Sequence, residues 1–228
     1  MAMKRAVLVL SGGLDSTTLL AYVRSKGFQV VALSCQYGQR NAYELAFARY
    51  NARLFQVAEH IVFPLPLDLF GGSALTDSAI PVQEPNGSGR VPNTYVPARN
   101  ILFLSLAASL AESRRIRSIF IGINAIDFSG YPDCRPEFLD AFRRMINIGT
   151  RMGIEQDGFC IEAPFINKRK QDIIATGLHL GVDYGKTFSC YNPRHGKACM
   201  ACDSCLLRQK AFHALGIYDT RLIMGGEL

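Results

Sequence analysis

Five consecutive apolar residues, Ala6-Val7-Leu8-Val9-Leu10, run directly into Ser11-Gly12-Gly13-Leu14-Asp15-Ser16. An unbroken apolar run with no polar residue at alternate positions is the pattern of a strand buried on both faces, and such strands belong to parallel sheets covered by helices. From Asp15 onward the chain reads as the opening of a helix, so a strand feeds a two-glycine turn that feeds a helix. The glycines permit positive φ and leave no Cβ in the way. Successive N–H groups can then face one anion while the helix N-terminus adds partial positive charge. The stretch is a candidate phosphate cradle, with Leu10, Ser11, Gly12, Gly13, Leu14, Asp15, Ser16 and Thr17 as its nucleotide-binding residues. It lacks the Lys-Ser/Thr ending of a Walker A loop, which disfavours a kinase or GTPase.

The same alternation continues downstream. Gly27 ends the first helix, and Phe28 to Leu33 forms a second strand. A helix covers about Asn41 to Phe55, with Leu45, Ala48, Ala52 and Phe55 on one face. Ile61-Val62-Phe63 gives a third strand. Pro64 to Pro97 breaks into Pro, Gly, Ser and Asn, and a loop of that length is usually a functional lid or a disordered segment. Order returns with an apolar helix from Ile101 to Ala111 and a strand from Ser118 to Ile123. The loop Asn124 to Arg135 follows at that strand's carboxyl end, the edge where open α/β sheets bind ligands. A helix from Glu137 to Gly153, a short strand from Phe159 to Ala163 and a helix from Lys170 to Leu180, ended by Gly181, complete the pattern. Repeated βα units predict an α/β fold, a Rossmann-like parallel sheet with helices on both faces.

The 228 residues suit one main domain with a small appendage. A formal charge of +6 is modest and falls in short clusters such as Arg114-Arg115-Ile116-Arg117 and Lys168-Arg169-Lys170, which favours anionic small substrates over nucleic acid. No apolar run approaches the roughly 18 residues of a membrane span, and the N-terminus shows no cleavable signal pattern, so a cytoplasmic protein with no membrane partner is expected.

In a reducing compartment, seven cysteines argue for metal ligation or isolated buried thiols rather than disulfides. Cys190, Cys199, Cys202 and Cys205 are spaced C-x8-C-x2-C-x2-C. Thiolates two residues apart wrap one metal from a tight turn, and four of them saturate a tetrahedron, so a structural zinc site is the first reading and an iron–sulfur cluster its rival. His195, inside the longer gap, is left out as an exposed loop residue. Cys35 and Cys160 are expected to be buried inert thiols.

Ser-Gly-Gly-Leu-Asp-Ser resembles the SGGxDS loop of the PP-loop ATP pyrophosphatases, which hold the pyrophosphate end of ATP while an acceptor attacks the α-phosphorus. The resemblance extends further when several motifs are taken together. They are the ATP loop, Tyr95-Val96-Pro97-Ala98-Arg99-Asn100, the run Asn124 to Arg135, Lys186-Thr187-Phe188-Ser189-Cys190-Tyr191, and the cysteine knuckle. As a set they resemble the 7-cyano-7-deazaguanine synthase family over nearly the whole chain.

That resemblance implies conversion of 7-carboxy-7-deazaguanine and ammonia to the 7-nitrile, with ATP as cosubstrate, on the path to queuosine. Adenylation turns the carboxylate's poor leaving group into AMP, so ammonia forms the amide, and a second adenylation makes loss of the amide oxygen an expulsion of AMP. By the same resemblance Asp15, Ser16, Arg99 and Lys170 are the catalytic candidates, with Asp15 placed to hold Mg²⁺ or the nucleotide edge and Lys168 a near alternative to Lys170. Asp127, Asp133 and Glu137 compete to read the deazaguanine edge, Phe128 and Tyr131 to stack on it, and Arg135 to pair with its carboxylate. Leu14 fills the variable place of the ATP loop, and Phe188 is a small departure from the family pattern. The implied organisation is an ATP-binding body over residues 1–185, a zinc-binding helical segment over 186–228, and a homodimer.

Two rival readings are weaker. A tRNA-modifying PP-loop thiolase would need an added RNA-binding domain for which little length remains, and a non-enzymatic nucleotide and zinc module would not turn over ATP.

Overall fold

The computed structural model describes residues 4–83, 91–125 and 130–221. Five parallel strands, β1 (Arg5–Val9), β2 (Gln29–Gln36), β3 (Glu59–Pro64), β4 (Ser118–Phe120) and β5 (Cys160–Glu162), form one sheet in the order β3-β2-β1-β4-β5. From β1 the chain steps outward to β2 and β3, then crosses to the other side of β1 for β4 and β5. The switch point, where ligands enter such sheets, therefore lies between β1 and β4.

Burial on both faces explains the apolar run of β1. Val7 and Val9, with Val31, Leu33 and Ile119, face α3 (Arg99–Ser113), α4 (Pro136–Ile148) and α5 (Arg151–Glu155). Ala6, Leu8 and Leu10, with Val30, Ala32 and Phe120, face α1 (Leu14–Ser25), α2 (Tyr43–Leu54), α6 (Lys170–His179) and α7 (Asp203–Ala214). The period of two along each strand deals its side chains alternately into two cores. Helices on both faces are thus the observed architecture.

Several boundaries differ from the sequence-based reading. The helix expected from Glu137 to Gly153 breaks at Gly149, and α5 restarts under a cap in which Thr150 Oγ1 accepts from Gly153 N at 3.2 Å. A Cβ on Gly153 would stand 2.0 Å from the Asn147 carbonyl oxygen, so the chain there needs glycine to fold back on α4. The strand expected to reach Ile123 leaves the ladder after Phe120. A Cβ on Gly122 would lie 3.3 Å from Ser16 Cα, so the chain passes tightly over the start of α1.

The long segment after β3 is packed over its described part: Ser73, Ala74, Leu75, Thr94 and Val96 are buried, and Arg40 donates to the Asp77 and Ile80 carbonyls at 2.7 and 2.6 Å. Side-chain bonds to backbone carry this stretch, which periodicity does not reveal. Cys160, expected to be buried, is exposed on edge strand β5; Cys35 is buried as expected.

The last helix is continuous in packing with the body. Ala211 and Phe212 join the α1 and α6 core, and the Arg208 guanidinium, buried in an ion pair with Asp219 at 2.5 Å, donates to Tyr184 O at 2.8 Å. No helix among the described residues is long and apolar enough to cross a membrane.

Candidate active site

A cavity of about 240 Å³ opens over the carboxyl ends of β1, β2 and β4. Its floor is the turn after β1. Gly12 has φ +84°, and a Cβ there would meet the Glu44 carbonyl oxygen at 2.1 Å and Ala48 N at 2.6 Å, so α2 packs directly on the turn. Gly13 precedes α1, and the two serines brace the loop: their Oγ atoms lie 2.9 Å apart, Ser11 N donates to Ser16 Oγ at 3.2 Å, and Gly13 N donates to Ser11 Oγ at 3.2 Å. These bonds fix the shape of the turn at the N-terminus of α1, the end of a helix that favours an anion.

Asp15 and Lys170 come together at one edge of the loop, Nζ to Oδ2 at 2.5 Å, although 155 residues separate them. Asp15 Oδ1 is buried with no hydrogen-bond partner among the described residues. A buried carboxylate oxygen left unmatched beside a phosphate cradle fits a hard cation such as Mg²⁺. Lys170 lines the cavity, whereas Lys168 is exposed and outside the lining. Leu10, Leu14 and Ser16 also line the cavity; Thr17 is fully buried behind it, with its Oγ1 unpartnered among the described residues.

Arg99 opens α3 beneath Ala98, whose φ of +56° is left-handed and costly for a residue with a Cβ. Its guanidinium sits over the rings of Tyr37 and Tyr131, at 5.8 and 5.7 Å, and Nη1 donates to Tyr37 Oη at 3.3 Å. Arg99 Nε is buried without a partner among the described residues. This is a cation held by aromatic faces with donor capacity left for an anion.

The remaining pocket candidates divide. Tyr131 lines the cavity, with its hydroxyl donating to Thr94 Oγ1 at 2.9 Å. Asp133 is buried beneath α3, where Oδ2 accepts from Asn100 N at 3.0 Å and its own carbonyl accepts from Asn100 Nδ2 at 3.1 Å. It caps a helix that Ala98 cannot cap, and it does not line the cavity. Arg135 and Glu137 are exposed and outside the lining. Asp127 and Phe128 lie outside the described residues.

Sequence reasoning missed the wing beyond β2. Cys35, Tyr37, Gln39 and Glu44 line the cavity together with Phe103 and Tyr191. Gln39 Oε1 accepts from Tyr37 N at 2.7 Å, and its Nε2 donates to Glu44 Oε1 at 3.0 Å. Burial pushes the Glu44 carboxyl up to about 7, against the lowering effect of Gln39 and Arg99, and pushes the Cys35 thiol up to about 12. The only signal in the sequence is Glu44 on the first turn of a helix that follows a strand.

A model of the family described as queuosine biosynthesis protein QueC matches residues 5–216. The chain belongs to the QueC family. Among relatives, the 7-cyano-7-deazaguanine synthase of Pseudomonas putida strain W619 is 53% identical over 220 residues, covering 96% of this chain and 98% of the relative. The synthase of Pseudomonas fluorescens strain Pf0-1 is 53% identical over 217 residues, covering 95% and 94%. The fold is shared more widely. NMN synthetase from Francisella tularensis superposes with a TM-score of 0.51 at 13% identity, over 98% of this chain and 82% of that one. A 4-thiouridine synthetase in complex with RNA and bound ATP gives 0.53 at 17% identity, over 92% and 54%.

In this QueC-family chain the four clustered cysteines meet beside the cavity, their sulfurs all within 4.8 Å of one another. A tetrahedral metal with Zn–S of about 2.3 Å sets sulfurs about 3.8 Å apart, so a modest contraction closes the site. Backbone N–H groups aim at the sulfurs: Cys199 N and Asn192 N at Cys190 Sγ, 3.2 and 3.4 Å, Tyr191 N at Cys202 Sγ, 3.4 Å, and Cys202 N at Cys199 Sγ, 3.4 Å. Such donors favour thiolates. The neighbouring Cys190 and Cys205 side chains lower the Cys202 thiol, which favours a thiolate there. Behind the cluster Phe47 and Phe188 stack at 5.8 Å with the Arg221 guanidinium over both rings, 4.5 and 4.8 Å.

Proposed function

We propose that this protein makes 7-cyano-7-deazaguanine from 7-carboxy-7-deazaguanine and ammonia, cleaving ATP to AMP and pyrophosphate at each of two activations. The observation that carries the reading is the QueC-family match over residues 5–216, together with relatives of that name at 53% identity across nearly the whole chain. The site is consistent with it at each step. Ser11, Gly12, Gly13, Asp15 and Ser16 hold the phosphates of ATP, and Lys170 and Arg99 face the charge that develops on the α-phosphate and the departing pyrophosphate. Magnesium at Asp15 would neutralise phosphate charge during that displacement.

The substrate carboxylate attacks the α-phosphorus, ammonia displaces AMP to give the amide, and the amide oxygen then repeats the attack. Loss of the second AMP leaves the nitrile. One site serves both rounds because both activate an oxygen on the same carbon.

Zinc at Cys190, Cys199, Cys202 and Cys205 is the metal this reading assigns, and four thiolates leave it no open position for substrate. Residues 1–185 form the ATP-binding body in this proposal and 186–228 the metal segment; the protein acts as a cytoplasmic homodimer without nucleic acid. Incubation with ATP, ammonium and 7-carboxy-7-deazaguanine is the test. We expect nitrile, AMP and pyrophosphate by phosphorus NMR and mass spectrometry, and ADP with orthophosphate in place of AMP would sink the mechanism.

A further inference from the structure

Recognition of a 7-deazaguanine requires a group that accepts from two neighbouring donors, the ring N–H and the exocyclic 2-amino group. A carboxylate does this with its two oxygens. Among the described residues only two carboxylates line the cavity, Asp15 and Glu44. Asp15 is committed to Lys170 at the phosphate turn. Asp133 is spent on the start of α3, and Glu137 stands outside the lining.

Glu44 faces a donor on its neighbour Gln39. Tyr37 N can only donate, so the Gln39 atom that faces it at 2.7 Å is the carbonyl oxygen. Its amide nitrogen must then face Glu44 Oε1, at 3.0 Å, as a donor. A group presented with a donor on one oxygen keeps lone pairs on both for a ligand. The backbone of α2 at Glu44 packs directly on Gly12, which sets the first turn of the helix against the loop. Tyr37, Phe103 and Tyr191 supply aromatic surface in the same cavity.

We infer that Glu44, oriented by Gln39, is the side chain that reads the N–H and 2-amino edge of the deazaguanine. The inference rests on the function proposed above. Adenine is the competing ligand for this wing, but its edge sets a donor beside an acceptor, which a carboxylate matches only when protonated. Burial raises the Glu44 carboxyl, and two ligand N–H groups would draw it back to the ionised form.

The test compares 7-carboxy-7-deazaguanine with the analogue lacking the 2-amino group, in the parent and in Glu44→Gln, by steady-state nitrile formation and by calorimetry. We expect the parent to prefer the 2-amino compound strongly. Glu44→Gln should raise KM for 7-carboxy-7-deazaguanine by about 10²-fold, leave KM for ATP within about twofold, and bring the two bases close together, since the lost match is specific to that edge. A variant that discriminates like the parent, or one whose KM rises for ATP alone, overturns the inference. If the variant does not fold, a parent indifferent to the 2-amino group overturns it equally well. A parent that makes no nitrile at all refutes the proposed function instead, so the two failures are distinct.

Discussion

Glu44 carries a cost of burial. Its carboxyl is raised to about 7 by burial, with Gln39 donating to it and Arg99 and Tyr37 facing the same space. In the unfolded chain the same group titrates near its ordinary value of about 4.3. Between those values the native state binds more protons than the unfolded one, so the contribution of Glu44 to stability is fully present in acid and is lost as pH rises through about 7. Glu44→Gln removes that titration. Thermal melts should therefore show the variant gaining on the parent from pH 5 to pH 8, and parallel pH curves for the two proteins would contradict the assignment. The turn from Ser11 to Ser16 was legible as the joint between β1 and α1 because its residues are contiguous and its bonds are local. Glu44 was not, because its role depends on α2 packing against Gly12, a contact between residues 32 positions apart.

At the scale of the elements, the turn after β1 and the start of α3 are the two joints that set the site. Gly12→Ala places a Cβ into the backbone of α2 at 2.1 Å, where no side chain can yield, and does so at φ +84°. Strain and overpacking together should cost about 2–5 kcal/mol, read as a lower urea midpoint, and an unchanged midpoint would mean that the helix does not rest on the loop. Asp133→Ala should cost about 1–2 kcal/mol by removing the cap on Asn100, with activity falling further because Arg99 is the first residue of that helix. The apolar runs of β1, β2, β4 and α3 and the periodic face of α2 could be read directly, because burial shows in the residue pattern itself. The break at Gly149 and the packed stretch from Leu75 to Ile80 could not, since one depends on Gly153 meeting Asn147 and the other on bonds from Arg40.

At the scale of the whole molecule, the cysteine cluster ties the end of the chain to the site. Cys190 lines the cavity itself, Cys202 caps α7 and Cys205 lies in its first turn, so a metal there joins the loop after α6 to the last helix. The spacing of the four cysteines made the cluster readable, but not its place beside Phe47, which α2 brings there. Binding energy at such a site is folding energy, because the unfolded chain holds no preformed tetrahedron. Cys202→Ser, or prolonged chelation, should therefore lower the melting temperature and open residues 190–205 to protease, with activity lost in step with structure. Elemental analysis should find about one zinc per chain and a colourless protein, as a filled d shell requires. Iron with acid-labile sulfide would replace zinc by a cluster, and activity lost while melting temperature and protease resistance hold would make the metal a participant in the reaction rather than a clasp on the fold.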